Sequence, residues 1–206
     1  GGGAGSGRAM CGRGYCDVHR NVLQLLLHEG ALTEAELIEH VVACVEAHAR
    51  AAKANNLRVP PTEEGRQEFM RKIVLEDISP QLERLGMKVA MKKFDGTPYF
   101  GLVNIRDDEQ RLASDLGKPQ NEFFHLVVSA IQAASDKSID AVDAGNLRLE
   151  MKVGKLTIDE VDECISHLIS GGWLQKSADS FYTLGIRSEL QLMYLTQKDA
   201  SATEEL

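Results

Sequence analysis

Met87-Lys-Val-Ala-Met-Lys-Lys-Phe-Asp-Gly-Thr-Pro-Tyr-Phe-Gly-Leu-Val-Asn104 is the stretch on which the fold turns. Met87, Val89 and Met91 alternate with Lys88, Ala90 and Lys92, the period-two pattern of a strand with one face buried. Asp95-Gly96 then supplies a tight hairpin turn, and Tyr99 to Ile105 forms the returning strand. Helices precede this ribbon. Asp17 opens one that carries Val18, Val22, Leu25 and Leu26 at three- and four-residue steps and stops at Gly30. Thr33 and Glu36 have the spacing of a capping box, ahead of Leu37, Ile38, Val41, Val42 and Val45. Val59-Pro60-Pro61 breaks the helical pattern, so residues 51–62 read as a linker or insertion. Phe69, Met70, Ile73 and Val74 resume it, and Ser79-Pro80 reads as an N-cap with proline at the first position of a short helix to Leu85. Helices followed by a two-stranded ribbon specify a winged helix.

The same order returns further along. After the acidic link Asp107, Asp108 and Glu109, a helix carries Phe123, Phe124, Val127, Val128 and Ile131, and Ile139 to Met151 supplies a second. Thr157 and Glu160 form another capping box, opening a helix with Ile158, Val161, Ile165, Leu168 and Ile169 on one face and Gly171-Gly172 as its stop. Trp173 to Lys176 and Phe181 to Leu184 make a short hairpin, and Ile186, Leu190 and Met193 line a closing helix. The expected architecture is mainly α with small β-hairpins, as tandem winged-helix domains. Residues 16–106 form the first and 107–195 the second. They are flanked by a disordered Gly-rich tail at 1–15, where seven glycines fall within the first 14 residues, and by a polar, frayed tail at 196–206.

Charge narrows the function classes. The net charge of -8 is unevenly placed: residues 1–106 hold 14 basic and 13 acidic side chains, whereas 107–206 hold 9 and 18. The second half therefore opposes polyanions, whose binding depends on Lys and Arg neutralising phosphate. No run approaches the roughly 18 apolar residues of a membrane span, and no membrane partner is expected. Cys11, Cys16, Cys44 and Cys164 are scattered, form no zinc framework and suit a reducing compartment. An activated thiol needs a neighbouring base, and the sequence alone sets none beside these four, so they read as packing thiols.

Candidate sites emerge from these elements. The helix before each ribbon is where a nucleic-acid-binding winged helix contacts the major groove, and in the second copy it carries Asp159, Glu160, Asp162 and Glu163. Lys88, Lys92 and Lys93 on the first ribbon are candidate phosphate contacts, though the favoured reading is of lysines that blunt an edge strand and keep it soluble. Leu23 and Leu27 lie one turn apart, about 100° round from the core stripe of the first helix. They are the candidate partner-binding face, with extra core beneath the Gly-rich tail as the alternative. His40, Cys44 and His48 recur at i, i+4 and i+8 but cannot easily converge on one ion, so half-buried packing is the expected use. No phosphate-cradling Gly loop, nucleophile elbow or His-Glu-x-x-His pair is present, and neither catalytic residues, metal ligands nor a cofactor are expected in this chain.

Asp17-Val-His-Arg, Leu23-Gln-Leu-Leu-Leu-His-Glu-Gly30, Asp95-Gly-Thr-Pro-Tyr-Phe-Gly-Leu-Val-Asn104, Gly172-Trp-Leu and Tyr182-Thr-Leu-Gly185 together resemble the non-structural maintenance of chromosomes element 1 family, over about residues 16–195. The resemblance implies a nuclear, chromosome-associated subunit of the SMC complex for DNA repair by homologous recombination. Its implied partners are a MAGE-family subunit and a kleisin subunit, with DNA met at most indirectly. It also implies a RING-like zinc domain that gives ubiquitin-protein ligase activity through a ubiquitin-conjugating enzyme. A RING needs about eight paired Cys and His ligands, and residues 186–206 contain neither type. The expectation is thus a truncated form in which docking remains and zinc belongs only to the full-length protein. The alternative is a nucleic-acid-binding winged-helix regulator.

Overall fold

Gly30 closes the first helix, α1 (Asp17–Glu29), by taking φ +75°, a region that side chains disfavour, while its N–H bonds to the Leu26 carbonyl at 2.9 Å. The structure, a computed structural model, describes residues 15–51, 58–106 and 116–204. The Gly-rich residues 1–14 and the acidic link at 107–109 lie outside the described residues.

After Gly30 the chain forms a three-residue strand, β1 (Ala31–Thr33), and enters α2 (Glu34–Ala51) through the expected capping box. The Glu36 N–H donates to Thr33 Oγ1 at 3.2 Å, and the Thr33 N–H and hydroxyl donate back to the Glu36 carboxylate at 2.9 and 2.7 Å. α3 (Glu63–Arg71) starts at Thr62, whose hydroxyl accepts the Gly65 N–H, and continues without a break through a π-helical segment (Lys72–Ile78) into α4 (Ser79–Glu83). The Ser79-Pro80 reading is corrected here. Ser79 is already helical, at φ -56° and ψ -44°, and its buried hydroxyl accepts the Val89 N–H at 3.1 Å, so it ties helix to sheet instead of capping.

β2 (Met87–Phe94) and β3 (Thr97–Asn104) pair antiparallel from Phe94↔Thr97 to Met87↔Asn104. Asp95 and Gly96 both have positive φ, 48° and 80°, as a tight turn in a twisted ribbon demands. β1 adds to the other side of β3, giving the order β1-β3-β2, so the expected two-stranded ribbon is a three-stranded sheet. Beneath it Val18, Val22, Leu26, Leu37, Val41, Met70, Val74, Ile78 and Phe100 form one core.

The second unit repeats this layout. α5 (Lys118–Ala133) precedes β4 (Ser138–Asp140), α6 (Ala141–Asn146), a 3-10 turn (Leu147–Leu149), α7 (Ile158–Ser170), β5 (Leu174–Lys176) and β6 (Phe181–Leu184), with sheet order β4-β6-β5. The single helix expected over Ile139–Met151 is instead a strand, a short helix and a turn. Asp140 Oδ1 accepts the Val142 N–H at 2.8 Å and so starts the helix after Ile139, while Gly145 and Asn146, poor helix formers, lie at its end. Phe123, Phe124, Val127, Ile131, Val161, Ile165, Leu168, Trp173 and Leu174 build the second core, with Trp173 edge-on to Phe124 at 5.9 Å. Ile158, expected on the buried face of α7, is its first residue and 62% exposed.

The last helix, α8 (Ile186–Glu204), extends past Leu195, into the region read as a frayed tail. It leaves the second sheet and lies on the first: Leu190 is fully buried with Ala90 and Val103, and Ile186 and Met193 pack beside them. This changes the reading of β2. Val89 faces the helical core and Ala90 faces α8, so both are buried, whereas Met91, expected inside, is 44% exposed. The molecule is mainly helical, a tandem winged-helix arrangement with two small antiparallel sheets.

Candidate docking surfaces

α1 presents its two candidate leucines unequally. Leu27 is 52% exposed, but Leu23 is half-buried and packs against the first core. The helical period puts both on one stripe, and only its C-terminal end faces outward. Tyr15 is also exposed, just before the helix, with its ring stacked on His19.

The three candidate phosphate contacts are not brought together. Strand alternation sends Lys88 and Lys92 to the face that carries α8 and Lys93 to the opposite face. Lys88 and Lys93 are exposed on an edge strand, whereas the Lys92 ammonium is ion-paired with Glu189 of α8. A cleft of about 540 Å³ opens beside that pair, between α8 and the end of α5. There Lys137 Nζ donates to the Gln132 carbonyl at 2.5 Å.

α7, the helix ahead of the second hairpin, exposes Asp159, Glu160, Asp162 and Glu163 together. Burial first, then the Asp162 and Asp140 carboxylates, pushes the nearby Tyr182 phenol above its ordinary range. Between α6 and the start of α7, the apolar side chains Val142, Leu149, Val153 and Ile158 are all more than half exposed. The connecting loop is held in place: the Glu122 carboxylate on α5 accepts the Lys152 and Val153 N–H groups, each at 2.7 Å. Sequence reading misses these exposed side chains because Ile158 completes an apparent core stripe and Val142 and Leu149 fall in an apparent helix. The signal available is the spacing of Lys152, Gly154 and Lys155 around Val153, a polar stretch in which an apolar side chain has no core to enter.

His40, Cys44 and His48 are each half-buried along α2. Burial pushes the Cys44 thiol up, partly offset by a hydrogen bond with Asn21. Among the described residues no group of three or more His, Cys, Asp or Glu side chains has the disposition to hold a metal ion. A RING-type zinc site does not fit the residues described.

The family model described as the Nse1 non-SMC component of the SMC5-6 complex matches residues 19–148 and 132–192. Non-structural maintenance of chromosomes element 1 homologs from Homo sapiens and Mus musculus are each 25% identical over 179 residues, 85% of this chain and 62% of theirs. The chain thus spans less than two thirds of the length of these relatives. A chain of a solved Nse1-Nse3-Nse4 complex superposes with a TM-score of 0.72 at 22% identity, covering 90% of this chain and 76% of that one, a likeness of fold. With both matched segments falling on the helices and sheets described above, the chain belongs to the Nse1 family of non-SMC components of the SMC5-6 complex.

Proposed function

We propose that these residues are the docking part of a nuclear, chromosome-associated Nse1-type subunit that serves DNA repair by homologous recombination and binds MAGE-family and kleisin subunits. The observation that carries the reading is the surface chemistry of the second winged helix. Where a nucleic-acid reader sets basic side chains, α7 sets four exposed carboxylates, and the adjoining stretch exposes four apolar side chains. Carboxylates facing phosphate are repulsive, whereas exposed apolar side chains suit a protein partner. The solved relative, a complex of Nse1 with Nse3 and Nse4, supports partners of those two classes. The reading gives this chain's residues docking work and assigns them no step of ubiquitin transfer.

The test is binding of the purified chain to a MAGE-family subunit by calorimetry. Leu27→Asp is expected to weaken it by about ten-fold or more, the loss typical of an interface anchor, with circular dichroism unchanged. Leu27 is chosen over Leu23 because it is exposed and its replacement spares the core. An unchanged affinity removes α1 from the interface. For the rival nucleic-acid reading, DNA binding by the isolated chain is expected to stay near the non-specific level of about 10⁻⁴ M at physiological salt. Tight, salt-sensitive binding would replace the docking reading.

A further inference from the structure

Cys16, read from sequence as a packing thiol, has a base beside it. Its Sγ lies 3.2 Å from His19 Nδ1, and His19 Nε2 lies 3.3 Å from Asp77 Oδ2, across from α1 on the π-helical segment. The tautomer is set by a further contact. The Cys16 backbone N–H donates to His19 Nδ1 at 3.1 Å, so Nδ1 carries a lone pair, the ring proton sits on Nε2, and Asp77 accepts it. The imidazole is buried under the stacked Tyr15 ring and fixed from both sides, while Cys16 is half-buried and Asp77 about half exposed. A nucleophile beside a base that is itself oriented by a third group is the arrangement that activates thiols.

We propose that Cys16, His19 and Asp77 form a base-assisted thiol site that takes low-molecular-weight disulfides and becomes S-thiolated. Cys16 Sγ attacks one sulfur of the disulfide as its proton passes to His19 Nδ1, whose one lone pair is released by the Cys16 backbone N–H to accept it. The S–S bond of the reagent breaks, a mixed disulfide with Cys16 forms, and the departing thiolate takes the proton from the imidazolium. Asp77 is the positioning residue, holding the imidazole in the accepting tautomer and balancing its charge. The other described cysteines are internal controls: burial pushes the Cys44 thiol up, and the Cys164 thiol up to about 11.

The experiment monitors dithiodipyridine consumption by the folded chain, with each cysteine read by peptide mass spectrometry in a Cys11→Ser background. Cys16 is expected to react about ten-fold or more faster in the folded chain than in the urea-unfolded chain, and ahead of Cys44 and Cys164. His19→Gln removes the acceleration. Because His19 also caps α1, the deciding pair is Asp77→Asn, expected to lower the rate, and Asp77→Glu, expected to restore it, with identical circular dichroism. Equal rates in folded and unfolded chains, or Asp77→Asn reacting like the parent, would overturn the site.

Discussion

Gly185 sits between β6 and α8 with no room for a side chain. A Cβ there would collide with the Gly172 carbonyl oxygen and lie 2.9 Å from the Trp173 carbonyl carbon, both backbone atoms that cannot swing aside. The close approach has a purpose: the Gly185 N–H donates to the Trp173 carbonyl at 2.9 Å, and the buried Ser188 hydroxyl donates to the same oxygen at 2.7 Å. Gly185→Ala is therefore expected to lower stability by about 1–3 kcal/mol, the range for overpacking, measured as a shift in the urea midpoint at unchanged slope. The glycine is visible in the sequence within Tyr182-Thr-Leu-Gly185, but its reason is not, because the obstructing atoms belong to residues 172 and 173. Cys16 and His19 show the same limit. Position and type are legible, whereas Asp77, which completes the group, comes from a helix nearly 60 residues away in sequence.

At the scale of elements, legibility tracks how local the determining contacts are. Both Thr-x-x-Glu boxes are legible because every bond they make lies within three residues. The Thr157 box also makes a titration prediction. Hydrogen bonds from Thr157 hold the Glu160 carboxyl below its ordinary range, so the bonus is fully present above the unfolded glutamate's pKa and is lost as pH falls through the lower, folded value. Thr157→Ala is expected to cost about 1 kcal/mol near neutral pH and to move the Glu160 titration upward, read by carbon NMR of the carboxyl group. The Thr157 backbone N–H, the larger cause, stays in place in this variant, so an unmoved Glu160 would show that the hydroxyl adds nothing to its hold. By contrast β1 and β4, three residues each, escape a sequence reading: a run that short shows no period, and it is a strand only because a distant β3 or β6 offers it partners. Ser79 misleads for a related reason. Its hydroxyl serves Val89 on the sheet, so the local Ser-Pro signal is present but put to another use.

For the whole molecule, the decisive element is α8, which closes the second unit in sequence yet seals the outer face of the first sheet. Gly101 makes room for it, since a Cβ at that position would lie 2.6 Å from Leu190 Cδ1. The Gln191 side chain then bonds the Asn104 backbone twice: its Oε1 accepts the N–H and its Nε2 donates to the carbonyl, each at 2.7 Å. Lys92 and Glu189 add an ion pair at the rim. The pattern Ile186, Leu190, Met193 is legible as an apolar face, but not its destination, because an amphipathic stripe states that it must be buried and never against what. The proposed domains 16–106 and 107–195 are then expected to unfold as one body in the parent chain and as two once this contact is weakened. Leu190→Ala should remove about 2–5 kcal/mol of packing, all of it from the junction. Trp173, the single tryptophan, lies in the second core with the Arg187 guanidinium of α8 over its ring at 4.2 Å, so it reports the second unit and the α8 junction, whereas far-ultraviolet circular dichroism reports the whole chain. In the parent the two urea transitions are expected to coincide, and in Leu190→Ala to separate. Coincident transitions with an unmoved midpoint in the variant would mean that α8 rests on the first sheet without coupling the units.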